Sequence, residues 1–96
     1  MSDYLPLNKI SETDTLICFH HPQPSHALHI LLVPKKDVQN LFQLDFKEDD
    51  FLFDLFTTVR SLIDEFGLED KGYRLIVNGG EYQEFPQLHF HLISDG

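Results

Sequence analysis

Apolar and polar positions along this chain follow two rhythms, and each predicts an element. From Asp49 to Phe66 the apolar residues Leu52, Leu55, Phe56, Val59, Leu62, Ile63 and Phe66 return every three or four positions. Such spacing lines one side of an α-helix with a stripe broad enough to cover a sheet or another helix. Asp45 followed by Glu48 resembles a capping box, acidic residues crowd the first turn, and Gly67 stands where the helix should stop. Elsewhere the period is two. Thr13 to His20 carries Leu16, Ile17, Cys18 and Phe19 and runs toward Pro22 and Pro24, which predicts a strand entering a turn. In His26 to Val33, the residues Ala27, His29, Leu31 and Val33 alternate with Leu28, Ile30 and Leu32. Both faces are largely apolar, so this strand should be central, closed by Pro34, with His29 in a buried row. Gly72 to Asn78 reads as a third strand, Gly79-Gly80 as a turn using positive φ, and Pro86 to Ile93 as the last strand. A short helical turn is expected around Val38 to Leu44.

The last strand holds the candidate chemistry. In Gln87-Leu88-His89-Phe90-His91-Leu92-Ile93 successive side chains point to opposite faces, so Gln87, His89 and His91 share one and Leu88, Phe90 and Leu92 the other. The apolar face can pack while the imidazole face stays available. Two histidines two positions apart on a strand are separated by about 7 Å, near enough to grip one phosphate or one metal ion.

Composition narrows the setting. With 96 residues, 42% of them hydrophobic and nine Phe, the chain is read as one domain with a small core. Phe51, Phe53, Phe56 and Phe66 are expected in that core or in an interface between copies. Cys18 is the only cysteine, so it forms no internal disulfide, and its apolar neighbours predict a buried thiol suited to a reducing cytosol. Met1-Ser2-Asp3-Tyr4 lacks the basic start of a secretory signal, and no apolar run approaches the roughly 20 residues of a membrane span. A soluble, cytoplasmic protein is expected. The net charge of -9 repels nucleic-acid backbones and anionic membranes, which excludes both as partners while leaving room for a small anion bound by local donors. The same field should raise histidine pKa values, so that activity falls below about pH 6.5. His20, His21 and His26, beside proline-rich turns, are expected at the surface, with the border of a nucleoside pocket as the alternative for His21.

Four blocks in order carry a resemblance. His29 just before Ile30-Leu31-Leu32-Val33-Pro34-Lys35-Lys36, then Tyr73-Arg74-Leu75-Ile76-Val77-Asn78-Gly79, then Gln83, and finally His89-Phe90-His91-Leu92-Ile93 resemble the histidine triad (HIT) superfamily, from about Thr13 to Ile93. The resemblance implies an α+β fold, an antiparallel sheet of about five strands with one long and one short helix. It also implies a homodimer that binds a purine nucleotide or nucleotide conjugate and attacks its α-phosphate through a histidine, with no cofactor and no metal. Carried over by position, His89 matches the nucleophile, His91 the last triad histidine that helps hold the phosphate, and His29 an upstream histidine of the same pocket. Asn78 and Gln83 match residues that position the phosphate and leaving group. Gln87 replaces the first triad histidine, Glu84 stands where the family usually carries a small, often hydroxylated residue, and His21 where an acidic residue commonly binds ribose. The loop between Asn78 and Gln83 is about two residues short of the usual family length.

Three functions fit these residues. One is a nucleotide hydrolase or nucleotidyl transferase with His89 as covalent nucleophile. Another is a non-catalytic nucleotide-binding module, favoured by Gln87 and Glu84. A third is a zinc site built from His29, His89 and His91, three ligands of the right kind with no carboxylate evident behind them.

Overall fold

The computed structural model describes residues 8–47 and 50–95, which form an antiparallel sheet covered on one face by helix. Its strands are β1 (Lys9–Glu12), β2 (Leu16–His20), β3 (Leu28–Pro34), β4 (Arg74–Val77) and β5 (Phe90–Ser94), in the spatial order β1-β2-β3-β5-β4. Between β3 and β4 run the long helix α1 (Phe51–Glu65) and the four-residue α2 (Leu68–Lys71). The α+β architecture with five antiparallel strands is the one expected, and the doubly apolar β3 is indeed the central strand.

Alternation along the strands decides which side the helix covers. Leu16, Cys18, Ile30, Leu32, Phe90 and Leu92 are buried on one face and meet Phe51, Leu55, Val59 and Leu62 of α1 in a single cluster. Leu88 joins them from just before β5, where its N–H donates to the Val38 carbonyl at 2.9 Å. The expected alternation of Leu88, Phe90 and Leu92 therefore holds, although Gln87 to His89 lie outside the ladder. Cys18 is fully buried, as its neighbours predicted.

Several local expectations are corrected. β1 was not legible, since Lys9-Ile10-Ser11-Glu12 is polar at three of four positions and gains its place by pairing along β2. The residue capping α1 is Asp50, without a side-chain bond to the helix, whereas Asp45 accepts the Lys47 N–H in a local turn. Asp45 is therefore not the cap, and Glu48 and Asp49 lie outside the described residues. Phe56 lies on the apolar stripe yet is 55% exposed, and Phe53 is 76% exposed, so of the two places expected for them the core is excluded and an interface is left. Gly67 does end α1, with φ of 65°, and Gly80 uses φ of 58°; Gly79 is extended, so only one of that pair needs glycine's freedom. The turn foreseen near Val38 to Leu44 is a single 3₁₀ turn, Leu41–Gln43.

One polar contact ties α1 to the sheet. The Asp54 carboxylate accepts the hydroxyls of Thr15 at 2.8 Å and Thr13 at 3.2 Å, fixing the β1–β2 turn against the first turn of the helix. Asp54→Ala is expected to destabilise the fold by about 1–3 kcal/mol, read from the urea midpoint, because hydrogen bonds to a charged group are worth that much. A change below about 0.3 kcal/mol would show the contact to be ornamental.

Candidate active site

Strand register gathers the imidazoles. On β3 and β5, His29 lies opposite Ile93 and Leu31 opposite His91, so all four project from the sheet face that α1 leaves uncovered. His29 and His91 are therefore diagonal neighbours within side-chain reach. The β2–β3 register continues past the end of β2, where the His21 N–H donates to the His29 carbonyl at 2.8 Å and places His21 beside His29. Ring centroids then lie 4.3 Å apart for His21 and His29, 5.1 Å for His29 and His91, and 4.9 Å for His89 and His91. Strands β3 and β5, with the residues just after β2 and just before β5, thus contribute four rings to one row. Of the two places expected for His21, the surface and the border of the pocket, register selects the one beside the imidazole row. His20 faces the opposite side, edge-on to Phe66.

Main-chain partners fix the protons on these rings. The Ser25 N–H, an obligate donor, points at His29 Nδ1 at 3.1 Å, so that nitrogen accepts and the proton of neutral His29 sits on Nε2. His29 Nε2 lies 2.8 Å from His91 Nδ1, which must accept, leaving the His91 proton on Nε2. His89 is set the other way. Its Nδ1 is 2.8 Å from the Gln87 carbonyl and must donate, so its Nε2 carries the free lone pair. The row presents an open nucleophilic nitrogen on His89 next to a hydrogen-bond donor on His91.

Burial favours the neutral form of His21, His29 and His91. His29 is only 7% exposed, and desolvation, followed by the neighbouring rings His21, His91 and His26, lowers its pKa to about 4. His21 and His91 are lowered by the same causes, burial first, with Glu84 acting in the opposite sense on His91. The expectation that the net negative charge would raise these values is overturned: local desolvation outweighs a distant, screened field. Because folded His29 has a pKa below the unfolded value of about 6.5, its contribution to stability is complete above pH 6.5 and is lost as pH falls toward 4. The melting temperature should decline through that window, and less so in His29→Asn; a flat profile between pH 7 and 4.5 would contradict the assignment. Glu12, held at about 2 by Lys35 and Lys9, acts only at lower pH.

The loop before β5 supplies the remaining candidates. Gln83 gives both amide protons to main-chain carbonyls, at 2.6 Å to Gln39 and 2.8 Å to Phe85, so it clamps the loop and has only Oε1 to offer a ligand. The Gln87 side chain makes one long contact, 3.5 Å to the Leu88 carbonyl, while its own carbonyl orients His89. Asn78 lies half-buried just after β4. A hollow of about 280 Å³ is lined by Asn40, Gly80, Gln83, Glu84 and Phe85 among others. Glu84, one of the residues lining the hollow, also acts electrostatically on His91. Asn40 went unnoticed in the sequence; its buried Oδ1 has no partner among the described residues. Among those residues no three His, Cys, Asp or Glu side chains are arranged to hold a metal ion, and a metal between His29 and His91 would have to displace their hydrogen bond.

Comparison with known proteins agrees with this geometry. The HIT domain family model matches residues 4–95. A histidine triad protein from Clostridium difficile superposes with a TM-score of 0.87 at 30% identity, covering 99% of this chain and 84% of that one. A HIT family hydrolase from Clostridium thermocellum gives 0.85 at 27% identity over 97% and 83% of the two chains. A histidine triad nucleotide-binding protein from Candida albicans gives 0.85 at 28% identity over 98% and 69%. The match along nearly the whole sequence, with the shared fold, shows that this chain belongs to the HIT domain family.

Proposed function

We propose that this chain is a nucleotide hydrolase or nucleotidyl transferase that attacks the α-phosphate of a purine nucleotide conjugate through His89. The observation that carries the reading is the pair of opposed tautomers, a lone pair on His89 Nε2 beside a proton on His91 Nε2. In the reaction His89 Nε2 bonds to phosphorus, and the positive charge that develops on the ring is shared through Nδ1–H with the Gln87 carbonyl. His91 Nε2–H holds a phosphate oxygen or the departing group. His29 keeps His91 in that tautomer, and water then frees the nucleotide from His89. Asn78 and Gln83 Oε1 position the phosphate and leaving group. Replacement of the first triad histidine by Gln87 is compatible with turnover, because the contact that orients His89 comes from the main chain of residue 87, which any side chain would provide. The related hydrolase and nucleotide-binding protein support the same assignment.

A second reading, a nucleotide-binding module without turnover, is favoured by Glu84, whose carboxylate stands close enough to His91 to act on its charge and would repel an anionic substrate. AMP release from an adenosine phosphoramidate, in wild type and His89→Ala and with and without EDTA, separates the two. Turnover that needs His89 and ignores the chelator supports the enzyme. AMP binding without turnover in the wild type selects the module.

The protein is further expected to work as a homodimer in the cytoplasm. β4 is the outer strand of the sheet, with Tyr73 and Val77 exposed, and α1 shows Phe53 and Phe56 to solvent. An open edge and exposed aromatics are what a second copy would cover. Light scattering at micromolar concentration should give twice the monomer mass; a monomer there contradicts the expectation.

A further inference from the structure

The attack of His89 on phosphorus gives no role to Asn40 or Glu84. Both line the hollow of about 280 Å³, together with Gln83 and Phe85. Among the described residues Glu84 forms no hydrogen bond or ion pair, so no Lys or Arg there neutralises its carboxylate. Asn40 Oδ1 is buried and accepts no hydrogen bond from those residues. Gln83 spends both amide protons on the Gln39 and Phe85 carbonyls and has only Oε1 to offer. Three side chains of one lining thus supply oxygen acceptors, one of them charged, and Phe85 adds an exposed aromatic surface. A carboxylate, amide oxygens and an aromatic ring are partners for an ammonium ion, which has three donors, no acceptor and a charge that ring faces attract. A second phosphate would instead meet an unneutralised carboxylate. The volume lies just under the usual range for drug-sized ligands, so the hollow takes a short chain and not a second nucleoside.

We infer that this hollow is a leaving-group subsite for a cationic alkyl chain, and that the preferred substrate is a nucleoside phosphoramidate of a diamine. The inference rests on the hydrolase reading above. Glu84 links the hollow to the chemistry, because the same carboxylate that lines it also acts on His91, the ring whose Nε2–H meets the phosphate oxygen or departing group. One amine of the diamine is bonded to the phosphorus that His89 attacks. The other is protonated at neutral pH, since alkylamines titrate at about pH 10, and lies against Glu84 with Asn40 Oδ1 and Gln83 Oε1 as further acceptors. This terminal charge offsets the carboxylate and so removes the repulsion that Glu84 would otherwise exert on the anionic phosphate. Glu84 then selects among leaving groups and is no sign of lost turnover.

Paired leaving groups test the subsite. Adenosine phosphoramidates of diamines from diaminopropane to diaminohexane are each compared with the amidate of the alkylamine of equal length, which ends in a methyl group where the diamine ends in an ammonium. The quantity read is the ratio of kcat/KM within a pair, in which any effect of Glu84 on the charge of His91 cancels. Wild type should prefer the diamine at one or more lengths, and Glu84→Gln should lower that preference by about fivefold, the upper end for an exposed ion pair. Glu84→Lys should reverse it and favour the amidate of an ω-amino acid, whose tail is anionic. Asn40→Asp, which adds a charge to the same lining, should raise it. Wild type active without preference at any length, or a ratio unchanged in Glu84→Gln, would overturn the subsite while leaving His89 chemistry intact. A ratio unchanged in Asn40→Asp would remove the hollow as the place where the ammonium lies. Wild type inactive on diamine and alkylamine amidates alike would overturn the hydrolase reading, and the subsite with it.

Discussion

His89→Ala is expected to lower single-turnover release of AMP by at least about a thousandfold, the scale on which an enzyme loses rate when its activated nucleophile is removed. The size follows from what the residue contributes. His89 is the ring whose reactive nitrogen is unprotonated and whose other nitrogen is anchored to a main-chain carbonyl. His91 Nε2 carries a proton and His29 Nε2 is occupied by His91, so neither neighbour can take over. Binding of AMP should change far less, since His91, Asn78 and Gln83 remain. Retention of more than about a tenth of the rate would remove His89 from the nucleophile's role, and intact rate with lost binding would make it a mere phosphate contact.

The largest expected stability effect lies behind the site. Phe51 is 1% exposed, and its ring centroid is 5.9 Å from that of Phe90 at an angle of 45°. Truncating it to alanine should cost about 3–5 kcal/mol, transfer energy plus the cavity left in a core that relaxes only in part. For a chain of this size that approaches half of the usual total, so the melting temperature should fall by more than about 10 °C. Phe90 stands between His89 and His91, and loss of its anchor should disturb the imidazole row as well as the core. Phe53→Ala, at an exposed position, should stay within about 0.5 kcal/mol for the monomer. A loss below about 1 kcal/mol in Phe51→Ala would show that the helix does not rely on this contact.

Some of this was legible in residue order because it depends on local periodicity. The three-to-four spacing from Leu52 to Phe66 and the alternation around His89 follow from helix and strand geometry alone, and Gly67 marked its stop for the same reason. The limits appear where pattern and packing part company. Phe56 fits the apolar stripe by angle, yet it is 55% exposed. β1 has no periodic signal and exists by courtesy of β2.

The candidate site divides along the same line. Residue order by itself determined that His89 and His91 share a face, that His29 sits in an apolar row, and that four blocks follow the order of the HIT family. Only the tertiary structure decided which rings meet, because cross-strand register brings His21, His29 and His91 together from positions up to 70 residues apart. It also decided the protons. A sequence cannot say whether an imidazole nitrogen faces a main-chain N–H or a carbonyl, and that difference makes His89 a nucleophile and His91 a donor. Burial, likewise a property of the assembled sheet, favours neutral His21, His29 and His91 against the pull of a net charge of -9.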